Sequence, residues 1–198
     1  ETSISRKYVD AIIQKITSVH SNAEIINRDV AYDNLSFIND TTVASYFAQG
    51  ERTPEQEKAI GLSNSLVAEL QAADVIVMGC PIYNFSIPAP LKAYFDLVSR
   101  AGLTFKYTEQ GIPVGLLNNK KVYIAIPSGG VAIDSEMDLC TPYLKLIFGF
   151  FNCGLKLDFI VIFLNRDTTI SYPTCGIINP KSNRLGWLHF HLKRLLPR

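Results

Sequence analysis

Residues 73–88, ADVIVMGCPIYNFSIP, join an unbroken apolar run to a proline-rich aromatic segment, and that junction decides the fold. Ala73–Cys80 is short, β-branched and apolar without alternation, the pattern of a strand covered by helices on both faces of a parallel sheet. Lys121–Ile126 (KVYIAI) and Leu157–Phe163 (LDFIVIF) repeat it. Ala23–Val30 (AEIINRDV) alternates more and suits an edge strand. Helical patterns fill the intervals. Arg6–His20 places Tyr8, Ile12, Ile16 and Val19 on one face, and Pro90–Ala101 and Asp138–Phe151 follow later. Thr53–Ala72 opens on T-P-E-Q, with Thr53 as N-cap, Pro54 at the first helical position and Gln56 completing a capping box. Helix and strand alternate along the chain, which predicts an α/β fold with a doubly wound parallel sheet in three layers.

Such a domain normally opens with a strand whose following loop holds a ligand phosphate. Here the sequence starts E-T-S-I-S and runs straight into the first helix, so the reading expects a sheet lacking its first strand.

Composition narrows the classes. The chain has 198 residues, 47% of them hydrophobic and 19% charged, with a formal net charge of +1. This excludes a disordered chain, and no fixed repeat or heptad is present. Residues 1–163 carry a net −4, which offers no footprint for nucleic acid. Residues 164–198 carry a net +5 from six basic residues and Asp167, the composition of a solvated basic tail. The division expected is therefore a domain over 1–163 followed by an atypical tail over 164–198. The longest apolar runs fall far short of the roughly 20 residues that span a bilayer, so no membrane insertion is expected. Cys80, Cys140, Cys153 and Cys175 form no C-x-x-C, which fits reduced thiols and a cytoplasmic location.

Three segments follow a strand or open a helix, where open α/β sheets bind ligands. Ser3-Ile4-Ser5 opens the first helix, where hydroxyls and free N–H groups suit a phosphate, although a serine there also serves as an ordinary cap. Pro81-Ile82-Tyr83-Asn84-Phe85 is non-helical and doubly aromatic. It suits a flat heteroaromatic ring, or else an aromatic turn packed on the next helix. Ser128-Gly129-Gly130 permits close backbone approach to a ligand, or merely an unusual turn. No G-x-G-x-x-G, P-loop or G-x-S-x-G motif is present. The three histidines, His20, His189 and His191, stand apart from any acidic or cysteine cluster, so no metal site is expected. With no nucleophile and no acid/base pair, an enzyme built on this chain needs a cofactor to carry the chemistry.

The stretch 80–130, CPIYNFSIPAPLKAYFDLVSRAGLTFKYTEQGIPVGLLNNKKVYIAIPSGG, resembles the FMN-dependent NADH:quinone oxidoreductases and azoreductases of the flavodoxin-like fold. The likeness runs with little interruption from about Thr53 to about Phe151. It implies a flavodoxin-like sheet and an FMN site. Ser3 and Ser5 would hold the phosphate, Pro81, Ile82, Tyr83, Asn84 and Phe85 would pack along the ring, and Ser128, Gly129 and Gly130 would reach its polar edge. Phe105 and Phe150 would line the substrate side, with the site at a homodimer interface. The activity implied is two-electron transfer from NADH or NADPH to a quinone or azo compound by a ping-pong route, with no catalytic side chain. Three features depart from the family pattern: the absent first strand, the I-P-S-G-G turn in which Pro127 lacks an N–H, and the chain beyond Leu164. A flavodoxin-like electron carrier and a non-catalytic incomplete fragment are the alternatives. Carriers are usually strongly acidic, unlike this one.

Overall fold

A computed structural model describes residues 3–152, 157–163 and 191–193, the last two segments as backbone strands. The elements are α1 (Ile4–Val19), α2 (Asp40–Tyr46), α3 (Pro54–Ala72), β1 (Val75–Gly79), α4 (Ala89–Val98), β2 (Phe105–Tyr107), β3 (Pro113–Gly115), β4 (Lys121–Ser128), α5 (Cys140–Phe150), β5 (Leu157–Phe163) and β6 (His191–Lys193). The main sheet has the order β5-β4-β1-β6. β1, β4 and β5 are parallel, with Ile76 opposite Val122 and Ile124 opposite Phe159. β6 runs antiparallel along the other edge of β1.

The three non-alternating apolar runs are the three parallel strands. All five residues of β1 are buried because both faces are covered. Val75 and Val77, with Ala125 of β4, pack against Val9, Ile12 and Ile13 of α1. Ile76, Met78, Val122, Ile124 and Ile126 point the other way. They join Leu66 and Leu70 of α3, Leu91, Tyr94 and Phe95 of α4, and Leu144 and Phe148 of α5. The sheet is thus the middle of three layers, and full burial of each large apolar side chain contributes about 1.5–3 kcal/mol. Among the described residues, no helix is long and apolar enough to cross a membrane.

The segment read as an edge strand, Ala23–Val30, makes no ladder. The free edge of β1 is taken by β6, and the polar residues of that segment serve elsewhere. Arg28 bonds Glu69 Oε1 at 2.5 Å and Asp33 Oδ2 at 3.1 Å, and these partners raise its pKa. Asp29 pairs with Arg6. The elements that escape the pattern reading are short: α2, capped by Asn39 Oδ1 accepting from Thr42 N–H, the β2–β3 hairpin, and β6, which falls in the stretch expected to be a tail. β3 presses against the end of α5. A Cβ on Gly115 would lie 2.2 Å from the Phe151 carbonyl carbon, so only glycine fits.

Candidate functional site

β1 ends at Gly79, and the chain then leaves the sheet along β4 rather than turning back at once. Cys80 N–H donates to Ala125 O at 2.8 Å and Ile82 N–H donates to Pro127 O at 3.1 Å. The second bond places the Pro81–Phe85 loop beside the turn that follows β4. Two of the three segments singled out in the sequence therefore meet at the carboxyl edge of the sheet, where α/β folds bind ligands.

Tyr83-Asn84-Phe85-Ser86 closes into a tight turn, with Tyr83 N–H donating to Ser86 O at 2.9 Å and Ser86 N–H donating to Tyr83 O at 3.1 Å. Both central residues are left-handed, Asn84 at φ 48° and Phe85 at φ 74°. This is a type I′ turn, which asks for Asn first and Gly second. Asn84 obeys. Phe85 does not, and a bulky side chain at positive φ costs on the order of 1–3 kcal/mol. The two rings are displayed rather than packed away, Tyr83 at 60% and Phe85 at 45% exposure. The strain supports a pair of rings and an amide at the edge of the sheet.

The turn after β4 is closed from within. Ser128 Oγ accepts from Val131 N–H at 2.9 Å and donates to Val131 O at 2.7 Å, so its hydroxyl is already used. Gly129 and Gly130 face open space, with no heavy atom within 4 Å of an added Cβ. What this turn offers a ligand is backbone.

The third segment opens α1, which packs on β1 and β4. Ser3 is the N-cap, yet its side chain caps nothing, and no acidic residue occupies the first turn. Its Oγ lies 3.0 Å from Ser5 Oγ instead. The first N–H groups of a helix lack intrahelical partners and carry the positive end of the dipole. Arg6 is spent on Asp29 and on the ring of Tyr32. These N–H groups and two hydroxyls suit a phosphate dianion.

Phe105 and Phe150 do meet, with ring centroids 4.5 Å apart. They meet near the far end of α5 from the loop. The start of α5 touches the loop, since Leu139 N–H donates to Phe85 O at 2.9 Å. Phe150 lies eleven residues beyond Leu139, roughly 16 Å away at 1.5 Å per residue.

An open cleft of about 690 Å³ flanks the turn, lined by Phe37, Tyr83, Asn84, Ile87, Asp96 and Tyr143 among others. Burial pushes the Tyr143 phenol up to about 12, and the Asp96 carboxylate adds to this, so Tyr143 stays a neutral hydroxyl. Phe37 and Tyr143 were not singled out in the sequence. Phe37 sits in the polar stretch Ser36–Thr42, and Tyr143 reads as one more apolar helix position. At the foot of the site Asp138 is only 2% exposed and accepts from the N–H groups of Thr141, Cys140 and Asp134. Burial alone would raise its pKa, but these hydrogen bonds, Thr141 first, outweigh it and hold the carboxyl below its usual range. It is a cap and a fastener, occupied on both oxygens.

The arrangement fits FMN: an uncapped helix end for the phosphate, displayed rings with an amide for the isoalloxazine, and an open glycine turn for its polar edge. The family model for the flavodoxin-like fold matches residues 1–163. The FMN-dependent NADH:quinone oxidoreductase 1 of Hahella chejuensis is 42% identical over 174 residues, covering 87% of this chain and 82% of its own. Among solved structures, an azoreductase from Bacillus anthracis str. Sterne superposes with a TM-score of 0.74 at 30% identity, covering 82% of this chain and 80% of its own. An FMN-dependent NADH-azoreductase from Bacillus anthracis str. Ames Ancestor, solved in complex with FMN, gives 0.58 at 30% identity, covering 70% of this chain and 67% of its own. A parallel sheet covered by helices on both faces and a family match over residues 1–163 lead to one statement: the chain belongs to the flavodoxin-like family that includes the FMN-dependent NADH:quinone oxidoreductases and NADH-azoreductases.

Proposed function

We propose that this chain holds FMN at the carboxyl edge of its sheet and passes two electrons from NADH or NADPH to quinones or azo compounds, the two substrates using one slot in turn. It is an FMN-dependent oxidoreductase, as its relatives are. The observation that carries the site assignment is the left-handed Phe85 at φ 74°, a strained residue kept where glycine would be favoured. Bound FMN supplies the hydride-accepting chemistry. The residues position and shield it. The N–H groups at the start of α1, with Ser3 and Ser5, hold the phosphate. Pro81, Ile82, Tyr83, Asn84 and Phe85 lie along the ring, Asn84 offering an amide and the aromatic residues excluding water. Gly129 and Gly130 bring backbone N–H groups to the polar edge, while Ser128 keeps that turn shut. No side chain need act as nucleophile or base.

The working unit is a homodimer in this reading. Phe37, Tyr83, Phe85, Met137, Leu139 and Leu146 are exposed apolar residues around the loop and along α5. Phe105 and Phe150 lie too far from their own loop to line its flavin, so they serve as substrate-lining residues only for the flavin of a second copy. Residues 1–163 form the body of the cofactor domain, and the basic stretch 164–198 contributes β6 to its sheet. A small-molecule partner, no nucleic acid and a reducing cytoplasm complete the reading, the last supported by Cys80 and Cys140 standing as free thiols.

The test is spectroscopic. The purified chain with FMN should show a flavin spectrum that bleaches when NADH is added without oxygen and returns on adding a quinone. An electron carrier would hold the flavin but leave it oxidised in NADH. A chain that neither binds FMN nor quenches its fluorescence would contradict the assignment.

A further inference from the structure

Cys80 and Cys140 lie beneath the loop, 60 positions apart in sequence, with their Sγ atoms 3.5 Å apart and both side chains fully buried. Neither has a role in the reaction above. The separation is in contact range, and either thiol can donate to the other. Each sulfur stands at a junction. Cys80 is the last residue before Pro81 and is fixed to β4 by its N–H bond to Ala125 O. Cys140 is the first residue of α5, fixed by its N–H bond to Asp138 Oδ1 at 3.0 Å. The backbones on both sides are thus held, while the side chains face one another.

We propose that Cys80 and Cys140 are a dithiol switch that peroxide closes into a disulfide, tying the Pro81–Phe85 loop to the start of α5. In the first half of the step, one sulfur takes an oxygen from hydrogen peroxide to become a sulfenic acid, and one water leaves. In the second, the other thiol attacks that sulfur, forms the S–S bond and expels a second water. Two S–H bonds are lost, one S–S bond is formed and the peroxide is reduced to two waters. Closure shortens the sulfur separation by about 1.5 Å, since a disulfide spans about 2.05 Å.

Burial sets the rate. Desolvation, with the neighbouring Cys140, pushes the Cys80 thiol well above its usual range, so little thiolate is present in the closed structure. Attack then waits on local opening of the loop. The loop is also the proposed flavin seat, and the consequence for flavin rests on that reading. Bound FMN holds the loop closed and slows oxidation. Once the disulfide has formed, the seat is displaced, and FMN affinity falls by about tenfold or more, because misplacement of a binding group by about 1 Å is costly.

The experiment treats the full chain with hydrogen peroxide, with and without FMN, then digests it without reductant and maps cysteine peptides by mass. The expected product is one linked peptide carrying Cys80 and Cys140, about 2 Da lighter than its two thiol halves, abolished by dithiothreitol and absent from Cys140→Ser. Thiols that survive the treatment, oxygens added to either sulfur without a link, or links only to Cys153 or Cys175 overturn the proposal. A Cys80–Cys140 link that forms at the same rate with FMN bound upholds the disulfide and counts against the loop as the flavin seat. Because Cys80→Ala keeps the backbone bonds, it serves as the second control if Cys140→Ser fails to fold.

Discussion

α1 and α3 begin in opposite ways. α3 combines several stabilising devices at its start: Thr53 Oγ1 accepts from Gln56 N–H, Gln56 Oε1 accepts from Thr53 N–H, Pro54 follows the cap, and Glu55 and Glu57 sit in the first turn. α1 is nearly as long, yet its cap side chain accepts from no helix N–H and its first turn has no acid. α3 needs no ligand at its start. α1 leaves N–H groups and a positive dipole end open, and its stability rests on Val9, Ile12 and Ile13 buried against the sheet. One start is built for stability, and the other suits an anion.

Carboxylates test that contrast most severely. Replacing Ser3 and Ser5 together by Asp puts negative charge where the phosphate would lie. FMN affinity should fall on the order of 100-fold in a fluorescence titration, through repulsion of about 2–3 kcal/mol between close charges. The helix itself should gain up to about 1 kcal/mol from the same acids. An affinity that holds while the helix is stabilised would erase the distinction between the two starts.

α5 offers an intermediate case, capped by a residue beneath the site. Asp138→Ala leaves the buried N–H groups of Cys140 and Thr141, and that of Asp134, without their acceptor and should cost about 2 kcal/mol in chemical denaturation. The sign of its pH dependence is fixed. Its folded pKa is depressed, so the carboxylate's stabilisation is present above the unfolded value and is lost as pH falls through the folded one. The gap between wild type and Asp138→Ala should therefore close in acid, and a gap that widened there would contradict the geometry.

Phe85→Gly sharpens the comparison within the loop. Glycine relieves the left-handed strain and should raise stability by about 1 kcal/mol. It also removes a ring from the flavin seat, so FMN affinity should drop by about tenfold, a trade of stability for binding. The smallest effect belongs to Thr53→Ala, which should cost about 1 kcal/mol of stability and leave the FMN titration unchanged. A loss of FMN affinity in that variant would mean that the two helix starts are not separate devices.

These contrasts also show where sequence reading works. The parallel strands were legible because burial on both faces leaves an unbroken apolar run, as in Val75–Gly79. The start of α3 was legible because its cap is local chemistry, four residues long. Ala23–Val30 misled because alternation alone does not provide an edge to pair with, and its Arg28 and Asp29 answered to distant partners instead. The I′ turn at 83–86 escaped because Phe85 occupies the position where glycine would have signalled it. The place of Phe105 and Phe150 was hidden for another reason. The family resemblance points to them, but only the length of α5, with its start at the loop, shows that they sit at the far end from it.

The central claim, that the open start of α1 holds the flavin's phosphate, is tested most directly by titrating the chain with FMN and with riboflavin, which lacks the phosphate. The account predicts that FMN binds at least tenfold tighter, and that Ser3→Asp combined with Ser5→Asp removes the difference. Equal affinity for the two flavins in the unaltered chain would contradict it.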